Sequence, residues 1–415
     1  MSGARPIGGD ARDSAVPGEA DPATPGLPRW LLIFFIGIGP VSFQIFLPAL
    51  PAISLGLDAS PATTNLTVSL SMLAFGFATL FYGRLADRLG RRPMLLVGMS
   101  LLLAGSFICA SAPSIEIVIA GRIVQSAGGA AGLVVTRAMV FDMYPGPRAG
   151  QVMASLVAAM MIAPMLGFAL GGVLADTFGW RSNFAAIGIA AAIALLLMRQ
   201  VRETRPPTAD AGKGGLLRDY ARVIRSRTFH GFALQGGLTI AAMTVFQTAA
   251  PFALTGTNGL TAAQIGLVFA GISGAYLAGA LIAARLPLGL TSAHRVLAGS
   301  SASALAGAAA LTLALMGYWT VAALVVPVLV VGLASGITSP ASQTGAVGAV
   351  AGLSGTASGL WSFMSMVLAA AATQIVSTAA DGTPVPVAAG FALLTLLALA
   401  LAAILLRERR PPLDA

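Results

Sequence analysis

Twelve apolar stretches, each roughly twenty residues long, follow one another along the chain, and a helix of that length crosses the ~30 Å hydrocarbon layer of a bilayer. They fall at about 30–53, 64–82, 94–113, 115–138, 151–175, 183–199, 229–254, 261–284, 296–317, 318–342, 351–380 and 384–406. In lipid every backbone N–H and C=O must be bonded within its own segment, which leaves the helix as the only option for isolated spans of this length. The expected class is therefore an all-α membrane protein with twelve transmembrane helices. Composition agrees: 57% of the 415 residues are hydrophobic and 9% are charged, against about 25% charged in a soluble domain.

The net charge of +9 would suggest nucleic acid in a soluble chain, but here the cations follow the topology. All but Arg122 and Arg181 of the 24 Lys and Arg lie in the N-terminal tail, the 83–93 loop, the 137–150 region, the 199–228 linker, the 285–295 loop or the C-terminal tail. Every second connection is thus basic, while the alternate ones carry Arg181 and the acids Asp58, Asp176 and Asp381. Lys and Arg in short loops stay on the cytoplasmic side, so both termini are expected there, as an even number of spans requires. No nucleic-acid partner is expected.

The longest internal hydrophilic segment divides the spans six and six. The expected organisation is a disordered tail over 1–29, a six-helix bundle over 30–199, a cytoplasmic linker over 200–228, a second bundle over 229–407 and a tail over 408–415. Within the linker, Leu216, Leu217, Tyr220, Val223 and Ile224 recur at helical spacing opposite Arg218, Arg222 and Arg225. That pattern suits an amphipathic helix lying on an anionic inner leaflet, and equally a solvated basic linker.

Little here is suited to catalysis. The single cysteine, Cys109, excludes an intrachain disulfide and any Cys-based metal site, and His230 and His294 are the only histidines. No nucleophile–base pair can be assembled inside the membrane, and there is no Walker-type phosphate loop, so neither an enzyme nor an ATP-driven pump is expected, and no cofactor or metal. Two charged side chains, Glu116 and Arg122, are assigned to the spans, both in the fourth. An arginine at that depth keeps its proton and must face protein or a water-filled cavity. Gln125 shares its face, and Gly128, Gly129 and Gly132 allow a neighbouring helix to approach closely. Arg122 is then either a group of the transport pathway or structural glue between backbone carbonyls. Glu116 lies about 9 Å and 240° from Arg122 on the helix, so the two do not pair. It is either a solvated residue near the outer interface or a titratable group of the pathway.

The most specific motif joins spans two and three: Gly83-Arg84-Leu85-Ala86-Asp87-Arg88-Leu89-Gly90-Arg91-Arg92-Pro93. Gly83 and Gly90 permit tight turns, Asp87 suits a helix N-cap, and the arginines suit acids or phosphate head groups, Asp142 among them. With this motif the sequence resembles the major facilitator superfamily. Ser42-Phe-Gln44-Ile-Phe46-Leu-Pro-Ala-Leu-Pro-Ala-Ile53, Arg122-Ile-Val-Gln125, Arg137-Ala-Met-Val-Phe-Asp142-Met-Tyr144 and Trp180-Arg181-Ser-Asn-Phe184 resemble its twelve-span drug:proton antiporters of the bicyclomycin-resistance (Bcr/CflA) type. Ala250-Pro251-Phe252 and Gly355-Thr356-Ala357-Ser358 extend the likeness more softly into the second half, so that it covers about 30–407.

The resemblance implies two bundles that rock about a midplane site and proton-coupled efflux of hydrophobic, drug-like molecules from a bacterial inner membrane, by a protein expected to be a monomer. It differs from that group at Gln44, where a titratable aspartate is usual, which leaves three alternatives: Glu116 or Asp142 carries the proton, the substrate itself carries the charge, or transport is uncoupled. The fifth-helix antiporter motif is only partly present, as Ala163-Pro164-Met-Leu-Gly167-Phe168, with Pro164 and Gly167 still suited to a gating bend. Asp87, Arg88, Arg91, Arg92 and Asp142 are expected to lock the cytoplasmic side. Depth alone nominates Gln44, Phe46, Gln125, Phe246, Gln247 and Trp361 as cavity-lining, with Met160, Met161, Met165, Met243, Met364 and Met366 as an adaptable wall or simple gap-fillers. Cavity walls in the second half are expected to be apolar, aromatic and amide. The alternatives are a facilitator or ion-coupled transporter of a specific metabolite such as a sugar or amino acid, and a non-transporting membrane receptor.

Overall fold

The computed structural model describes residues 27–144, 147–205, 216–285, 292–350, 353–379 and 383–408. Most of the expected N-terminal tail, residues 206–215 of the linker, Asp381 and residues 409–415 lie outside them. Twelve helices among the described residues are long and apolar enough to span a membrane. The first span is α1 (Arg29–Gln44), a 3-10 turn (Leu47–Ala49) and α2 (Leu50–Gly56). It is followed by α3 (Pro61–Leu89), α4 (Arg91–Ser111), α5 (Ile115–Met143), α6 (Pro147–Phe178) and α7 (Arg181–Leu197). The linker contributes α8 (Leu216–Ile224). The second half is α9 (Arg227–Asn258), α10 (Ala262–Arg285), α11 (Ser292–Leu315), α12 (Val321–Val347), α13 (Ser354–Thr378) and α14 (Val385–Glu408).

Local chemistry explains the boundaries. Ser60, Ser226 and Thr320 each accept a backbone N–H three residues on and so cap α3, α9 and α12. The first span departs from the expected continuous helix, because Pro48 and Pro51 withdraw two N–H donors and the chain loosens into a 3-10 turn. Gln44 sits at the lip of that break.

Helices α1–α7 pack mainly on one another, and α9–α14 do the same. In lipid, close approach of helices rests on packing rather than on the hydrophobic effect, and small residues supply it. Gly129 of α5 meets Gly39 of α1, and Gly171 of α6 lies on the backbone of Ile45. The two halves join asymmetrically. At the end bearing the 56–61, 178–181 and 258–262 connections, one continuous apolar cluster runs from Phe46, Leu50, Phe168 and Phe184 across to Phe246, Phe269 and Phe391. At the other, arginine-rich end the clusters are separate: Leu31, Tyr82, Met94 and Met139 belong to the first half, Val223, Phe229, Leu360 and Trp361 to the second.

Helix α8 meets α9 and α13 through part of its apolar face. Val223 is completely buried among Phe229, Leu360 and Trp361, and Tyr220 packs beside it, so these two residues dock on the second half of the protein. Ile224 remains exposed.

Candidate functional site

Where the two halves diverge, a central cavity of about 450 Å³ opens between α1, α5, α6, α9, α10, α12 and α13. It is within the size range of drug-sized ligand sites. Gln44, Arg137, Met160, Met161, Pro164 and Phe168 wall it from the first half. The second half contributes Thr239, Thr244, Met243, Gln247, Ser273, Tyr276, Ser335, Ser339, Gln343 and Trp361. Arg137, Val157 and Gln343 also line a second cavity, of about 680 Å³, that continues past Gly83, Arg84 and Tyr220 to the arginine-rich end.

The opposite end is shut by contacts between the halves. Asn65 Nδ2 donates to Ser377 Oγ at 2.7 Å, and Ser69 Oγ donates to Gln374 Oε1 at 3.1 Å, joining α3 to α13. Asp176, near the end of α6, accepts the backbone N–H groups of Ala262 and Ala263 at 3.1 and 2.8 Å and so caps α10. Below these, the Phe168 and Phe269 rings meet edge to face at 5.1 Å.

Of the residues nominated by depth, Gln44, Gln247 and Trp361 line the central cavity; Phe46, Gln125 and Phe246 do not, nor does Arg122, the charged pathway candidate of the fourth span. Depth specifies height along a helix but not rotation about it. Helix α5 is enclosed by α1, α3 and α4, so the face bearing Arg122 and Gln125 is buried in the first half. Fully buried, Arg122 donates from Nη1 to the Ser42 carbonyl at 3.1 Å and to Gln125 Oε1 at 2.5 Å. Gln125 in turn donates to Ser106 of α4 at 2.7 Å, and the guanidinium lies 4.1 Å from the centroid of the Phe46 ring. Nε and Nη2 have no partner among the described residues. The network therefore ties α1, just before its break, to α5 and α4. Phe246 instead meets Phe269 and Phe391 in the closed end. Glu116 is exposed on the first turn of α5 and lines neither cavity.

Met160, Met161 and Met243 are cavity walls, whereas Met165 is exposed and Met364 and Met366 pack in the core. Pro164 faces the cavity, and Gly167 packs against Val41 and Gln44 of α1. The expected apolar, aromatic and amide wall in the second half is corrected by the hydroxyls of Thr239, Thr244, Ser273, Tyr276, Ser335 and Ser339.

The 83–93 segment is not a loop. Helix α3 runs through Gly83 and Asp87 to Leu89, and only Gly90, at φ +103°, separates it from α4. Asp87 is consequently no N-cap; it pairs with Arg91 at 2.5 Å, and Arg91 Nε donates to Asp142 at 2.8 Å. The cap is Glu203, which sequence reasoning missed because it lies over a hundred residues away in the linker. Its carboxylate accepts the N–H groups of Arg91 and Arg92 at 2.8 and 3.2 Å, while Pro93 has no N–H to satisfy. Thr204 reaches Asp142, and Arg205 donates to the Arg88 carbonyl. Arg88 and Arg92 are exposed. These bonds join the linker to α3, α4 and α5, so in this conformation the cluster braces the first half rather than locking the two halves together.

Partial burial pushes the Glu203 carboxyl up, but the N–H groups of Arg91, Arg205, Arg92 and Thr204 outweigh it and hold it below the ordinary 4.5. Its contribution is accordingly full above that value and fades as pH falls through the lower folded one. Glu203→Ala should cost about 0.5–1 kcal/mol near neutral pH, the low end of capping effects because the carboxylate is exposed. In thermal melts the deficit relative to wild type should disappear in acid.

Arg137 was also missed. The sequence reading grouped it with the basic 137–150 region, yet it lies within α5 and walls both cavities; its place inside the fourth apolar stretch was the available signal. A twelve-span bundle with a ligand-sized chamber open to one end and shut at the other defines a membrane transporter by its architecture. Residues 31–373 match the Major Facilitator Superfamily, and the chain belongs to that family of transporters, not to an enzyme family. It is 30% identical over 265 residues to an uncharacterized transporter of Rickettsia bellii (strain RML369-C), covering 62% of this chain and 66% of that one. It is 26% identical over 257 residues to multidrug resistance protein D of Escherichia coli (strain K12), covering 60% and 64%. These alignments thus span slightly under two thirds of each relative. The fold matches the crystal structure of a D-xylose-proton symporter, with a TM-score of 0.73 at 13% identity over 91% of this chain and 96% of that one.

Proposed function

We propose that the protein is a proton-driven exporter of hydrophobic, drug-like molecules in a bacterial inner membrane, of the bicyclomycin-resistance type. The observation that carries this reading is the central cavity, walled by methionines, Trp361 and scattered amides and continuous with one end only. With the arginine-rich end in the cytoplasm, this is an inward-open state loading from the cell interior or inner leaflet. Rocking of the halves would then separate Asn65 from Ser377 and Asp176 from α10, exposing the chamber to the outside. The relative named for multidrug resistance supports export of such compounds.

Expression in a pump-deficient bacterial host should raise resistance to some members of a chemically broad drug panel at least fourfold. Dissipating the proton gradient should restore intracellular accumulation of those compounds. No shift for any compound would sink the efflux reading. It would favour the second reading, transport of a specific polar metabolite, to which the hydroxyl groups on the α9, α10 and α12 walls are suited.

A further inference from the structure

We infer that the central cavity selects amphiphilic ligands carrying an anionic or strongly hydrogen-bond-accepting group, with Arg137 as the anchor, and discriminates against lipophilic cations; this rests on the efflux reading above. Among the described residues lining the cavity, Arg137 is the sole charged one. A cation entering a chamber without a carboxylate loses its hydration and gains no counter-charge, whereas an anion meets a guanidinium that keeps its proton.

The hydrogen-bond inventory points the same way. Arg137 Nε is buried with no partner among the described residues, and Nη2 donates only to the thioether of Met160, at 3.6 Å. A thioether is a weak acceptor that a ligand oxygen readily displaces, so the Nη corner of the half-buried guanidinium is available, Nε being enclosed by protein. An acceptor-bearing ligand satisfies the guanidinium, and a donor-bearing cation does not. Arg137 stands where the central cavity meets the wider one, so an entering ligand passes it. Asp87, the acid lining that wider cavity, is already paired with Arg91.

The test uses the full chain purified in detergent and a scaffold-matched series of biphenylacetate, biphenylacetamide and biphenylmethylammonium. Cys109, the single cysteine, is buried, so a thiol-reactive dye reports unfolding, and ligand affinity follows from the concentration dependence of the melting temperature. Biphenylacetate should bind about tenfold more tightly than biphenylmethylammonium, as expected for one charge-assisted hydrogen bond gained. Arg137→Gln should erase the difference between acetate and acetamide, and Arg137→Lys should retain it; the unliganded melts verify that both variants fold. Equal binding of all three probes, tighter binding of the ammonium, no binding of any, or an acetate preference that survives in Arg137→Gln would each overturn the inference. Equal binding would leave the efflux reading standing, whereas an acetate preference without drug resistance would overturn efflux and leave the selectivity intact.

Discussion

Replacing Arg122 with methionine should abolish transport without lowering the melting temperature of the protein. A guanidinium that is completely buried, with two of its nitrogens unpartnered and no carboxylate paired with it, carries a desolvation cost of several kcal/mol. Two hydrogen bonds and a cation–π contact worth about 2 kcal/mol when desolvated offset only part of that. Methionine fills a similar length without the charge. The loss of the bond to Gln125 costs about 1–3 kcal/mol, so the two changes nearly cancel. Transport is another matter, because Arg122 holds the Ser42 carbonyl two residues before Gln44, and Gln44 faces the chamber at the break in the first span. Freed from α5, that break no longer has a defined position. Thermal melts and drug accumulation in cells with matched protein abundance measure the two effects. If the melting temperature dropped by more than about 5 °C, a loss of roughly 4 kcal/mol for a protein of this size, Arg122 would be structural glue instead.

Bridging the shut end should arrest the cycle. The side chains of Asn65 and Ser377 touch at 2.7 Å and are buried in this state. Cysteines at both positions should be joined by a short bis-methanethiosulfonate, which forms reducible disulfides, as the cycling protein exposes them, while Cys109, packed between α4 and α5, stays out of reach. Drug transport should then fall at least tenfold and recover on reduction, with each single-cysteine variant unaffected. The contacts being bridged are weak by nature, since side-chain hydrogen bonds between helices in a bilayer contribute about 0.6 kcal/mol each. Thermal energy with modest ligand bias can break them; a covalent link cannot be broken that way. Undiminished transport by the bridged protein would mean that this end never opens, and alternating access would be the wrong description.

The twelve helices and their order were legible because lipid imposes one requirement on every span: twenty apolar residues with all backbone groups bonded internally. That requirement acts on consecutive residues, so reading them in order is enough. Asp142 was legible as one acid that the arginines of the 83–93 motif could meet; that Arg91 is the one that meets it came from the packed bundle. Rotation of a helix about its own axis is different. Every face of a span is apolar, whether it meets lipid or protein, and hence periodicity cannot distinguish Arg122, buried against α1, from Arg137, which walls the chamber. The glycine contacts between particular helix pairs set that rotation. Glu203 depended on tertiary folding for another reason. A carboxylate caps whichever helix start the chain brings to it, and only the return of the linker across the arginine-rich end puts it at the first turn of α4. The docking of α8 through Val223, the closure by Asp176 and the hydroxyl-bearing second wall are of the same kind. Each joins residues distant in sequence, and only the packed bundle brings them together.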